Sequence, residues 1–390
     1  MDKVETTIIG AGVVGTAVAW ELSKTGREIF VIEKNPGITQ GENQSSRNAG
    51  VIHSGVFYDP ATRPLKARLC PLGVKKMYDF CRKYDVPHLP CGKLLVATAE
   101  EDRPTLEFYF KQAVANGVVA RMLDSGEVTA REPNVRAVCA IDLPSSGVVE
   151  PTRLVYKLYT LASNNGAQFL THAELIDVRE RPEGFELTVR RRDGNRDTFL
   201  SREVVNCAGL HADEVARMLD PDSPYRIQPM RGEFARYYRT KRPDLACATN
   251  VYPAPVKVQL PQGIHWAVGT HVTPTIDIEQ APDGSWTASP VNIVGPLSAP
   301  GRSKEDFDGE FQPMADYHEA VSPYFPSIME GDLEPQHAGV LAILSGTQDW
   351  FMTRVEKHPG FYNLLGMDSP ALTSSLAIAD YVLKMMEARR

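Results

Sequence analysis

The run Thr6-Thr7-Ile8-Ile9 followed by Gly10-Ala11-Gly12-Val13-Val14-Gly15 constrains the fold of this chain more than any other stretch. A β-branched apolar run, a glycine turn, and then Val14, Val18 and Leu22 at intervals of four predict strand, tight turn and helix, with the helix over about Val13 to Lys24. Gly26 ends that helix, and Glu28 to Glu33 predicts a second buried strand closing on an acid. Each glycine has a task. Gly10 makes the tight turn, Gly12 lets the backbone approach a pyrophosphate, and Gly15 permits close helix–strand packing. The helix N-terminus offers free N–H groups and a positive dipole end to that pyrophosphate. Glu33 lies 18 residues after Gly15, where a carboxylate can bind both ribose hydroxyls of an adenosine, and Lys34 beside it joins the candidate cofactor-binding set. A carboxylate at that position disfavours a 2′-phosphate. NADP is thereby disfavoured, leaving FAD or NAD.

Composition bounds the remaining choices. The chain has 390 residues, with 42 basic against 49 acidic side chains and a formal net charge of −7. A sequence-blind nucleic-acid binder needs a basic footprint, so no nucleic-acid partner is expected. Six cysteines are scattered without a C-x-x-C pair, which fits neither a zinc site nor a disulfide framework. No metal is expected, and reduced thiols point to a cytoplasmic protein. No run approaches eighteen apolar residues, so no integral membrane span is expected. The N-terminal Met-Asp-Lys-Val-Glu carries acid where a signal peptide would be basic. The basic end Lys384–Arg390 reads as a solvated helix end, with peripheral membrane association as its alternative.

Kinship is carried by the next segment, Ser45-Ser46-Arg47-Asn48-Ala49-Gly50-Val51-Ile52-His53-Ser54-Gly55, continuing through Phe57-Tyr58 to Leu65-Lys66-Ala67-Arg68. It resembles the D-amino-acid-oxidase-like superfamily of FAD enzymes and, within it, the L-2-hydroxyglutarate dehydrogenase/oxidase family. Val204 to Ala212, including Ala208-Gly209, resembles the strand and turn that carry the chain back past the dinucleotide. Thr171 to Val178 resembles the strand whose backbone meets the adenine, which implies a contact at Leu175. Gly366-Met367-Asp368-Ser369-Pro370-Ala371-Leu372-Thr373 resembles the turn and helix that close on the isoalloxazine. The resemblance implies FAD, bound noncovalently. Ser45, Ser46 and Asn48 are compact hydrogen-bonding residues suited to a cofactor with many polar groups, and Gly366, Ser369, Pro370, Leu372 and Thr373 join the candidate cofactor contacts. About Thr373 to Lys384 predicts a helix with Leu376, Ala379 and Leu383 on its apolar face. Its N-terminus can stabilise an anionic reduced ring.

The fold class expected is α/β: a Rossmann-like FAD-binding domain of D-amino-acid-oxidase type with a second, mostly antiparallel β-sheet substrate domain. Residues 1–88, 145–225 and 335–390 are assigned to the cofactor domain, and 89–144 and 226–334 to the substrate domain. Pro151 to Asn164 predicts a helix of the cofactor domain. Strands are predicted at Lys93 to Thr98, Phe185 to Val189, Glu233 to Tyr238, Val256 to Leu260 and Trp266 to Gly269. Gln280 to Pro300, rich in proline, glycine and serine, reads as loop.

A flavin needs a C–H bond placed against N5 and a proton removed. His53 is the first candidate base, because imidazole can take a hydroxyl proton near neutral pH. His271, in a Gly-Thr-His-Val-Thr turn similar to one of the family, is the second. For each, a histidine that only packs or bonds to its surroundings is the competing reading. Arg231, in Met230-Arg231-Gly232-Glu233-Phe234, resembles the family's [RK]-G-E-[YF] strand start and is the candidate partner for substrate carboxylates, with Tyr58 as a hydroxyl donor. Asp59, Lys66 and Arg68 read as surface or fold-supporting. One departure stands out: where the family has glycine, an aliphatic residue and arginine, this chain has Gly339-Val340-Leu341. The resemblance implies oxidation of a small 2-hydroxy acid similar to L-2-hydroxyglutarate, with oxygen, a quinone or a carrier protein as electron acceptor. Oxidation of a small amino acid or secondary amine is the alternative.

Overall fold

The computed structural model describes residues 2–41, 43–260 and 263–388. Its first sheet is built around Lys3–Ile9, which pairs in parallel with Ile29–Ile32 on one side and with Arg196–Asn206 on the other. Gln168–Leu170 extends the parallel set beyond Ile29–Ile32, and Phe361–Leu365 extends it beyond the end of Arg196–Asn206. The long strand Arg196–Asn206 also serves an antiparallel meander with Gly184–Arg191 and Ala173–Arg181. Ile8, Val31 and Val205 are fully buried, as strands covered on both faces require.

The helix Val13–Ser23 packs on this sheet because Val14, Val18 and Leu22 fall on one face. Burying a Val or Leu side chain contributes roughly 1.5–3 kcal/mol. The C-terminal helix Ala371–Glu387 lies in the same core through Leu376, Ala379 and Val382. The helix Pro64–Tyr84 approaches it so closely at Gly73 that an added Cβ would lie 2.5 Å from the Thr373 carbonyl oxygen. The helix expected from the sequence at Pro151–Asn164 is present with those bounds.

The second sheet has eight strands in the order Glu334–Leu344, Ile227–Tyr238, Ala288–Pro300, His271–Ile276, Asn250–Pro253, Lys93–Ala97, Cys139–Asp142, Arg121–Asp124. Every pairing is antiparallel except that of Lys93–Ala97 with Asn250–Pro253. Two expectations are corrected here. Glu334–Leu344 falls almost wholly within the piece assigned to the cofactor domain, yet it is an edge strand of the second sheet, in register with Ile227–Tyr238 from Leu344↔Ile227 onward. An apolar run announces a strand but not its partner. Gln280 to Pro300 is not all loop, because Ala288–Pro300 is a strand between two neighbours. Proline is accommodated by a bulge: Gly295-Pro296 stands opposite the single residue Phe234, so Pro296 owes the ladder no N–H. Gly295 has φ +151°, and a side chain there would meet Phe234 and the Glu233 carbonyl.

Val51–Ile52, Gly147–Val149 and His88–Leu89 form a small third sheet between the two large ones, and Val256–Leu260 pairs with Gly263–Ala267 as a separate hairpin. Among the described residues no helix is long and apolar enough to cross a membrane.

Candidate functional site

A cavity of about 980 Å³ is walled by the carboxyl ends of the parallel strands, the loop Asn43–Ala49, the turn before the C-terminal helix, and one face of the second sheet. Gly10 opens its floor with φ +95°, and a Cβ there would lie 2.7 Å from the Cys207 carbonyl oxygen. At Gly15 a Cβ would lie 1.9 Å from the Gly10 carbonyl oxygen, so the turn closes only without a side chain. Gly12 lines the cavity and caps the helix without a side chain of its own, so the first-turn N–H groups other than that of Val13 are left to an anion. Ser45 Oγ accepts the Val13 N–H at 2.9 Å. Glu33 accepts the N–H groups of Ala11 at 2.7 Å and Asn35 at 2.9 Å, and its remaining lone pairs are available to ribose hydroxyls. Lys34 also lines the cavity, 2.9 Å from His211 Nε2. Leu175, Ala208 and Gly209 complete this end.

At the other end Gly366, Ser369, Pro370 and Leu372 line the wall where the helix Ala371–Glu387 begins. That helix has no acid in its first turn, and Asp368 just before it is paired with Lys66, so its positive end can still meet an anion. Asn48 lines the cavity, but its amide holds its own loop: Nδ2 donates to the Gln44 and Ser45 carbonyls, and Oδ1 accepts the Gly50 N–H. Two expected contacts are not in the wall. Ser46 bonds Asn43 Oδ1 through both its N–H and its hydroxyl. Thr373 is buried behind the wall, where Oγ1 accepts the His53 N–H at 3.0 Å and donates to the Val51 carbonyl. Its task is to fix His53.

His53 and His271 both line the cavity, brought together from the small third sheet and the second sheet. His53 Nε2 is 3.3 Å from Ser369 Oγ, and Nδ1 is 3.4 Å from Lys93 Nζ. Burial, then the charge of Lys93, then His271 hold its pKa well below the usual histidine value. His271 is stacked on Tyr252 with ring centroids 3.8 Å apart, and burial with Lys93 pulls it down to about 3. Tyr58 lines the same cavity as Ser369; burial raises its hydroxyl pKa well above 10, so it is a donor at neutral pH. Leu341 lines the cavity from its edge strand.

The arginine expected to meet substrate is turned the other way. Met230 and Gly232 face the cavity, so alternation sends Arg231 to the opposite face. There it is buried with Glu233 at 2.8 Å, Asp306 at 3.1 Å and the Gly309 carbonyl at 2.8 Å. Arg231 is a structural residue. Conversely, Lys66 is buried in the cavity wall, 2.7 Å from Asp368. Lys93, read from the sequence only as the start of a strand, is fully buried, its Nζ 3.8 Å above the Tyr252 ring, and burial lowers its pKa to about 7. A lysine opening the apolar run Leu94–Ala97 was the available signal. Among the described residues no group of three acidic, histidine or cysteine side chains is placed to hold a metal ion.

The profile of the FAD dependent oxidoreductase family (DAO) matches residues 5–385. The chain belongs to this family. FAD is its cofactor, and the glycine turn, Glu33 and the two open helix ends fit that molecule. The L-2-hydroxyglutarate dehydrogenase of Arabidopsis thaliana mitochondria is 31% identical over 98% of this chain and 83% of its own length. The enzyme of that name from Escherichia coli strain K12 is 27% identical over 97% of this chain and 92% of its own. Among solved structures, FAD-bound L-alpha-glycerophosphate oxidase from Mycoplasma pneumoniae superposes with a TM-score of 0.85 at 24% identity, covering 99% of this chain and 95% of that one. Glycine oxidase from Geobacillus kaustophilus superposes with a TM-score of 0.79 at 20% identity, covering 100% and 95%. These two establish a shared fold.

Proposed function

We propose that this FAD-dependent oxidoreductase oxidises a small 2-hydroxy acid of the L-2-hydroxyglutarate type to its 2-oxo acid. The names of the Arabidopsis and E. coli relatives support the substrate class. The observation that carries the reading in this chain is His53, held at the wall between Ser369 and Lys93. Bound FAD supplies the acceptor for the hydride leaving C2. His53 takes the hydroxyl proton at Nε2, which requires the tautomer with its proton on Nδ1. Neutral Lys93 selects that tautomer by accepting the Nδ1–H, whereas an ammonium there donates to Nδ1 and leaves Nε2 protonated. Thr373 fixes the His53 backbone, and Ser369 and Lys93 flank its ring. His271, stacked on Tyr252, forms a neutral wall rather than the base, and Tyr58 donates to a substrate oxygen.

On this reading Gly10, Gly12, Glu33, Ser45, Leu175, Ala208, Gly209, Gly366, Ser369, Pro370 and Leu372 hold the cofactor. The test is anaerobic mixing of the FAD-loaded protein with L-2-hydroxyglutarate, other 2-hydroxy acids, and small amino acids and secondary amines. Bleaching of the flavin band by the hydroxy acid is expected, with His53→Gln slowing it by about 10²–10⁴-fold while FAD stays bound. Bleaching by amines alone would refute the proposal.

A further inference from the structure

The charges on the cavity wall are unevenly balanced. Its lysines and arginines are Lys34, Arg47, Arg63, Lys66 and Lys304. Lys34 faces Glu305 at 3.8 Å, Arg47 faces Asp308 at 3.7 Å, Lys66 holds Asp368 at 2.7 Å, and Lys304 bonds Asp213 and Glu214. Arg63 is the exception. Among the described residues no carboxylate pairs with it. Its Nε donates to Gln348 Oε1 at 3.1 Å and its Nη1 to the Phe57 carbonyl at 3.4 Å, both neutral acceptors. Asp349 also lines the cavity, but it is committed to the N-terminus of the helix Pro64–Tyr84, accepting the Leu65 and Lys66 N–H groups.

The position matters as much as the charge. Arg63 Nη1 bonds the carbonyl of Phe57, the residue before Tyr58; Tyr58 and Ser369 line the same cavity, and Ser369 Oγ lies 3.3 Å from His53 Nε2. Arg63, Tyr58, Ser369 and His53 therefore share one cavity wall. In a chain of net charge −7, an arginine left with neutral partners beside the proposed base is a built receptor for an anion. A planar guanidinium already fixed at Nε and Nη1 is oriented before the ligand arrives, which lowers the ordering entropy of binding.

We propose that Arg63, oriented by Gln348 and the Phe57 carbonyl, binds a carboxylate of the substrate. It performs from the helix entry the task that Arg231 cannot reach and that Leu341 cannot perform. The assignment rests on the 2-hydroxy-acid reading above and deepens it. It makes Arg63 a binding residue and leaves proton removal to His53.

The test uses FAD-loaded wild type, Arg63→Met, Arg63→Lys and Gln348→Leu, with 2-oxoglutarate as the probe and calorimetry as the readout, so no turnover is needed. FAD content is measured first, and it is expected to be equal in all four. Arg63→Met is expected to weaken 2-oxoglutarate binding by about 100-fold, the scale of a lost charge-assisted pair. Arg63→Lys, which keeps the charge but loses the fork, is expected to fall between. Gln348→Leu, which keeps the guanidinium and loosens its orientation, is expected to weaken binding by severalfold. In turnover the change in Arg63→Met should appear in KM more than in kcat. Wild-type binding that Arg63→Met leaves unchanged overturns Arg63 alone. A wild type that binds no 2-oxoglutarate overturns the substrate reading and this assignment with it.

Discussion

Lys93→Met is the substitution that most directly examines how the proposed base is controlled. Lys93 Nζ lies 3.4 Å from His53 Nδ1, and the groups facing it are His53, Cys70, Cys91, Tyr252 and His271. None of these is a carboxylate, so burial dominates and brings the lysine down to about 7. If only neutral Lys93 leaves the His53 Nε2 lone pair free, the active fraction at pH 6 is about one-tenth. Wild-type kcat/KM should then fall roughly tenfold per pH unit below about pH 7. Methionine fills similar volume and cannot donate to Nδ1. The acid limb near pH 7 should vanish, leaving only protonation of His53 itself, which burial keeps to lower pH. Thermal melting supplies an independent readout. A lysine whose folded pKa is depressed contributes stability that is present above its unfolded value of about 10.4 and lost as pH falls toward about 7. The variant should therefore be more stable than wild type below pH 7, by at most about 5 kcal/mol from that shift. The gap should narrow as pH rises. The measurement is kcat/KM from about pH 5.5 to 9, with melting at both ends. An acid limb that persists near pH 7 in Lys93→Met, or a wild-type profile flat through that region, would sink the tautomer argument.

Two further outcomes follow from buried ion pairs. Lys66→Met leaves Asp368 buried without its cation and should destabilise the protein by roughly 3–5 kcal/mol near pH 8. Burial already raises the Asp368 pKa, so protonation at lower pH discharges it; the loss should shrink toward pH 5 and be largely restored in Lys66→Met/Asp368→Asn. Equal losses in the single and double variants across pH would contradict this. Arg231→Met strips the partner from buried Glu233 and should also lower thermal stability by roughly 3–5 kcal/mol, with 2-oxoglutarate affinity of the FAD-loaded protein unchanged. A large loss of that affinity at unchanged FAD content would return Arg231 to the substrate site.

Local sequence determined the parts of this protein whose geometry is local. The turn from Gly10 to Gly15 can close only without side chains at its two end glycines, so their spacing carried the strand–turn–helix and its ligand together. Val14, Val18 and Leu22 announced their helix by period, and Glu33 closed the next strand within the same unit. His53 was legible through the motif around it, though not Lys93 behind it, which comes from 40 residues further along the chain. What only tertiary structure decided is which face each strand presents and which strand lies beside which. Glu334–Leu344 joined the second sheet because its partner was Ile227–Tyr238, a pairing that no property of either segment encodes alone. The same pairing turned Arg231 away from the cavity, since neighbouring residues on a strand point to opposite faces. A one-residue alternation moved the expected cation out of the site, while the entry of the helix Pro64–Tyr84 brought Arg63 in. The sequence supplied the charges; the register of the second sheet and the packing of that helix decided which of them face the cavity.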